Sequence, residues 1–160
     1  MFLIVCLDDK NGMMFNHRRQ SRDGEVIKDI LSFTNGHRIL MNGYSRRLFD
    51  LYKEEIDESE NLSRSFKASE DKKQVLETLL VTHEEFLTQA GEDDFCFVEN
   101  ESISPYLPRI QGFLIYRWNR VYPYDQTFPA SLLENFRIES TKEFVGSSHD
   151  KITREFYQRK

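Results

Sequence analysis

The run Arg18-Arg19-Gln20-Ser21-Arg22-Asp23 holds the densest chemistry in this chain. Three guanidiniums within five residues form planar forks that suit a carboxylate or a phosphate. Gln20 adds an amide. Asp23 stands where its carboxylate would cap a helix, with Glu25 in the first turn favoured by the helix dipole. The chemistry that fits this cluster is recognition of a small anion. The same residues also fit a solvated loop whose arginines fold back onto Asp8, Asp9 or Glu25. A second group, Ser45-Arg46-Arg47, would meet an anion at a helix N-terminus, or simply cap that helix and charge its surface. Tyr116, Trp118, Tyr122 and Tyr124 would wall a planar ligand, or serve as core and rim packing. No nucleophile is assignable from pattern alone. His17, His37, His83 and His149 show no ligand spacing and read as structural or exposed, so no metal site is expected. Gly-x-Ser-x-Gly, Walker and Gly-x-Gly-x-x-Gly patterns are absent.

Composition limits what must position these groups. At 160 residues, 39% apolar and 13% aromatic, the chain suits one domain with a real core and is not a disordered sequence. No apolar run reaches membrane-spanning length. The start, Phe2-Leu-Ile-Val, has no basic stretch before it, and no signal peptide is expected. Cys6 and Cys96 each sit inside an apolar run and read as buried thiols of a reducing, cytoplasmic setting. A net charge of −5 argues against a broad nucleic-acid surface.

The hydrophobic pattern supplies an α/β framework. Phe2–Leu7 reads as a buried strand, Val26, Ile27, Ile30 and Leu31 as one helix stripe ended by Asn35-Gly36, and 38–41 as a second buried strand: a right-handed βαβ unit. Ser45 opens a second helix, with Leu48, Phe49, Tyr52 and Ile56 at helical spacing. A polar excursion near 57–74 follows and is expected to be mobile; 75–81 reads as a strand, with a helix as the alternative. Thr82-His-Glu-Glu85 has the capping-box pattern. Phe95–Val98 and Phe113–Tyr116 are further buried strands, separated by a short helical turn over 102–108. The alternating runs 136–144 and 151–158 read as an antiparallel edge hairpin joined through Gly146-Ser-Ser-His149.

Taken in order, these segments resemble the dihydrofolate reductase family over nearly the whole chain. Ile4-Val-Cys-Leu-Asp-Asp-Lys-Asn-Gly-Met looks like its first strand and flexible substrate loop. Thr34-Asn-Gly-His-Arg-Ile-Leu-Met-Asn-Gly is similar to its helix end and second strand. Ile115-Tyr-Arg-Trp, Tyr124-Asp-Gln-Thr-Phe-Pro129, Phe136-Arg-Ile-Glu-Ser and Phe156-Tyr-Gln-Arg159 follow its C-terminal pattern. The resemblance implies a single three-layer domain over 1–160. Its central sheet is mainly parallel, with helices on both faces and an antiparallel C-terminal hairpin.

The departures carry the functional expectation. Val26 falls where the family's reductases place a helix carboxylate, Tyr116 where they place its threonine partner, and Arg19-Gln20-Ser21 where they carry Pro-Trp. Glu99-Asn100-Glu101 replaces the paired glycines beside the cofactor pyrophosphate. The resemblance thus implies the scaffold without the reductase's groups: a ligand-binding or interaction protein with no cofactor. The alternative is an NADPH-dependent oxidoreductase whose cofactor contacts have moved to Arg46, Arg47 and the basic loop. In either case Arg18, Arg19 and Arg22 are expected to share one cleft with Ser45, Arg46 and Trp118, because loops after neighbouring parallel strands leave the same sheet edge.

Overall fold

The apolar run at the start becomes β1 (Phe2–Leu7), and Leu3, Ile4, Val5 and Leu7 are wholly buried because it lies mid-sheet with both faces covered. The computed structural model of the chain describes residues 1–60 and 79–160. After β1 come β2 (Gly12–Phe15), β3 (Arg18–Arg19), α1 (Gly24–Phe33), β4 (Ile39–Met41) and α2 (Gly43–Glu60). Beyond them lie β5 (Leu80–Thr82), β6 (Phe95–Phe97), β7 (Gly112–Arg117), β8 (Gln126–Thr127), β9 (Phe136–Phe144) and β10 (Ile152–Arg159). Seven strands form the main sheet in the order β5-β4-β6-β1-β7-β10-β9. From β5 to β7 every pairing is parallel, and β10 and β9 add antiparallel. The α/β architecture and its C-terminal hairpin are those the sequence implied.

Side-chain alternation along β1 and β7 divides the core into two layers. On one face Ile4, Leu114, Tyr116 and Trp118 pack beneath Val26, Ile27 and Ile30 of α1 and Leu48 and Phe49 of α2. On the other, Leu3, Val5, Phe113 and Ile115 pack against Phe86 and Leu87 of the short helix Phe86–Gln89 and the 3-10 turns Ser104–Arg109 and Ala130–Asn135. Asp23 caps α1 as expected, accepting from the Glu25 amide.

Three local expectations need correction. Thr82 does not cap a helix: it ends β5, in register with Met41, and the short helix begins four residues later, its entry held by the Glu85 amide donating to His83 Nδ1. Strand pairing outweighs the capping pattern there. The second helix starts at Gly43, two residues ahead of Ser45, because Asn42 Oδ1 accepts from the Ser45 amide and Glu84 Oε1 from the Gly43 amide. The basic loop is not irregular either. β2 and β3 form a hairpin through Asn16 and His17, both with positive φ (50° and 61°), and with β8 make a separate three-stranded sheet. Most of the excursion at 57–74, and 75–78, lie outside the described residues.

Candidate functional site

The small sheet is anchored to the large one by a buried carboxylate at the end of β1. Asp8 Oδ1 accepts from the amides of Lys10 and Gly12, and Oδ2 from the Tyr122 amide and Gln20 Nε2. Burial opposes ionisation of Asp8, but these donors outweigh it and hold its carboxyl below the usual range. Gln20 Nε2 also reaches the Pro123 carbonyl. Both of its partners are acceptors, which fixes the amide orientation and leaves Oε1 buried without a partner.

Arg19 crosses from β3 to the segment after β6. Its Nε lies 2.8 Å from Glu99 Oε2 and its Nη2 3.0 Å from Oε1, a bidentate pair. Ser45 Oγ donates to the same Oε1 at 2.8 Å, and the guanidinium lies over the Tyr44 ring at 4.4 Å. Beneath this bridge is a cavity of about 20 Å3, lined in part by Arg19, Gln20, Ser21, Arg22, Asp23 and Trp118. That is room for a single water. Cys6 also lines it; burial and then the nearby Glu99 carboxylate drive its thiol well above the ordinary range, so it stays protonated. Outside the bridge an open groove of about 560 Å3 runs between Met14, His17, Asn100, Asp125 and Gln126.

The third part of the site joins the start of α1 to the loop between β9 and β10. Asp23 Oδ1 accepts from the amide and hydroxyl of Ser147, and Oδ2 from those of Ser148. His149 Nδ1 is 2.8 Å from Asp23 Oδ2, and its ring stacks on Trp118 at 4.6 Å. Its Nε2 faces two hydroxyls, Ser21 Oγ at 3.0 Å and Tyr122 at 2.9 Å. Gly146 lets this loop close: a Cβ there would collide with the Asp23 carboxylate.

Among the residues singled out by sequence, Arg19, Gln20, Arg22, Asp23 and Trp118 thus line one cavity, and Ser45 reaches its rim through Glu99. Arg18 and Arg22 are exposed. Arg46 turns away, to Asp50, the Leu80 carbonyl and Thr82. Tyr116 lies buried under α1, donating to Asp29, which also binds Arg154 and Lys142. Sequence reasoning missed Glu99 as the partner of Arg19, and Ser21 and His149 as partners of each other. Ser21 and His149 are 128 residues apart; the one hint was the small, polar Gly146-Ser-Ser-His149 connection inside a hairpin. Among the described residues no cluster of His, Cys, Asp and Glu could hold a metal, and no helix is long and apolar enough to cross a membrane.

No family model matches the chain, and no curated protein matches it. Among solved structures it is similar to a dihydrofolate reductase from Enterococcus faecalis complexed with NADP(H) and RAB-propyl, with a TM-score of 0.56. The match covers 99% of this chain and 95% of that one at 11% identity. At that identity the likeness establishes the fold, which is dihydrofolate reductase-like.

Proposed function

We propose that this chain is a small-ligand-binding protein on a dihydrofolate reductase-like scaffold, without dihydrofolate reductase activity and without a nicotinamide cofactor. The Arg19–Glu99 bridge carries this reading. Where a pyrophosphate would need close backbone approach and positive potential, the segment 99–101 instead presents two carboxylates. Glu99 is engaged by Arg19 and Ser45, and Asn42 Nδ2 donates to Asn100 Oδ1 and, at 3.4 Å, to Glu101 Oε1. The space under the bridge, about 20 Å3, compares with roughly 300–1,000 Å3 for a pocket that encloses a drug-sized ligand. The space under the bridge does not enclose a pterin, and the carboxylates of Glu99 and Glu101 oppose a dinucleotide's pyrophosphate.

The ligand this surface suits is small and polar, seated in the open groove between His17, Asn100, Asp125 and Gln126. Thermal-shift titration with NADPH tests the central claim. The melting temperature is expected to stay constant while NADPH is raised to millimolar concentration. A rise of several degrees, as mass action requires for a bound ligand, overturns the reading in favour of an NADPH-dependent oxidoreductase.

A further inference from the structure

The geometry points to a second, chemical role that does not depend on the groove's ligand: Ser21, His149 and Asp23 form a hydroxyl–imidazole–carboxylate relay able to cleave a small ester. The three groups are in series, with Ser21 Oγ 3.0 Å from His149 Nε2 and His149 Nδ1 2.8 Å from Asp23 Oδ2. Asp23 is ionised and buried, so it accepts a hydrogen bond from Nδ1–H and fixes the tautomer that leaves Nε2 free to take a proton. Trp118 holds the ring from one face. The Tyr122 hydroxyl lies 2.9 Å from Nε2 and 3.4 Å from Ser21 Oγ, so its one proton serves one of these two acceptors at a time.

Helix capping alone does not require this arrangement. Asp23 already receives the Glu25, Ser147 and Ser148 amides and both serine hydroxyls, and it would be satisfied without an imidazole. Nε2 would likewise be satisfied by Tyr122 without Ser21. Ser21 is only half-buried and lines the cavity of about 20 Å3 together with Gln20. Gln20 Oε1, buried and unpartnered, offers an acceptor to any donor brought beside it. The cavity has room for one water only, so the acyl group sits at its mouth against the half-buried Ser21, where the exposed Arg22 favours an anionic leaving group.

The steps balance with water as the only other reactant. Ser21 Oγ attacks the carbonyl carbon and its proton passes to His149 Nε2. The ester C–O bond breaks, and the departing alkoxide takes the proton from Nε2, leaving acyl-Ser21. Water then attacks that acyl carbon, gives its proton to Nε2, and Ser21 Oγ leaves and recovers it. Carboxylic acid and alcohol are the products.

The test uses the whole chain with p-nitrophenyl acetate and a small fluorophosphonate, read by nitrophenolate release and by peptide mass spectrometry. The relay predicts one covalent adduct, on Ser21, with turnover and labelling abolished in Ser21→Ala. His149→Gln and Asp23→Asn should each slow labelling at least tenfold, whereas Tyr122→Phe keeps the adduct. Circular dichroism melts show which variants are folded, and only folded ones are compared. Unlabelled Ser21 in the wild-type protein overturns the inference, as does labelling at the same rate in folded His149→Gln. The NADPH titration reads neither result, so the two readings fail separately.

Discussion

The guanidinium of Arg19 lies against the carboxylate of Glu99 as a two-pronged pair, with Nε–Oε2 2.8 Å and Nη2–Oε1 3.0 Å, and it ties the small sheet to the end of β6. Both side chains are largely buried, 21% and 10% exposed. Removing either one leaves the other charge largely buried without its ion-pair partner. Hydrogen bonds to charged groups contribute about 1.5–3 kcal/mol, and the residual exposure of Arg19 puts the expected loss for Glu99→Ala near 1.5 kcal/mol. Urea unfolding of Arg19→Ala, Glu99→Ala and the double variant measures the coupling, expected at about 1 kcal/mol. Strictly additive losses would mean the two charges do not stabilise each other.

The same substitution should change ligand preference. Glu99→Ala removes one carboxylate and leaves Arg19 and Ser45 Oγ facing the cleft without their acceptor. Inorganic phosphate is then expected to raise the melting temperature of Glu99→Ala by a few degrees more than that of the wild type at low ionic strength, with the difference shrinking as salt screens it. Equal shifts would show that Glu99 is not what closes the site to anions.

How much of this was legible in the sequence depends on the range of the interaction. The apolar runs at Phe2–Leu7, Phe95–Phe97 and Gly112–Arg117 announce buried parallel strands, because burial on both faces leaves no room for alternation. Asp23 followed by Glu25 announces a helix start for equally local reasons. The site is different. Glu99 reads as a missing glycine and His149 as an unattached histidine until the crossovers place Glu99 beside Arg19 and the hairpin loop places His149 beside Asp23. Thr82 misled because its capping pattern is local while its actual partner, Met41, is supplied by the sheet. The sheet-edge rule brings Arg19 and Trp118 to one cleft, but spacing in one sequence does not record that Glu99 and His149 are the partners there.

The hairpin that presents Arg18 and Arg19 holds two non-glycine residues, Asn16 and His17, at φ of 50° and 61°. Asparagine tolerates this region; histidine fits it less well, and the turn type favours Asn-Gly. The left-handed conformation costs roughly 1–2 kcal/mol for a residue with a Cβ, partly offset by the extra freedom glycine has when unfolded. His17→Gly should therefore stabilise the protein by about 0.5–1 kcal/mol, read as a higher urea midpoint at unchanged slope, while His17→Ala gives no gain. A loss on His17→Gly would assign the imidazole a stabilising contact that outweighs the strain.

Asp23 sets the acid limit of the fold. Burial works against its charge, but the Ser148 amide, His149 and the Ser147 and Glu25 amides together hold its carboxyl far below the ordinary aspartate value. A carboxylate with a depressed folded pKa adds stability that is complete above the unfolded value, near 3.9. That stability is lost as pH falls below it towards the folded value. Wild-type unfolding free energy should accordingly be insensitive to this group above about pH 5 and decline steeply below about pH 4. Asp8 and Asp94 are also depressed and add to the decline, so the wild type alone does not isolate Asp23. Asp23→Asn does: it should be less stable at neutral pH and show a shallower decline between about pH 4 and pH 2, narrowing the gap to the wild type as acid is added. Parallel pH curves for the two proteins would show that the Asp23 carboxylate, despite its donors, makes no net charge-dependent contribution to the folded state.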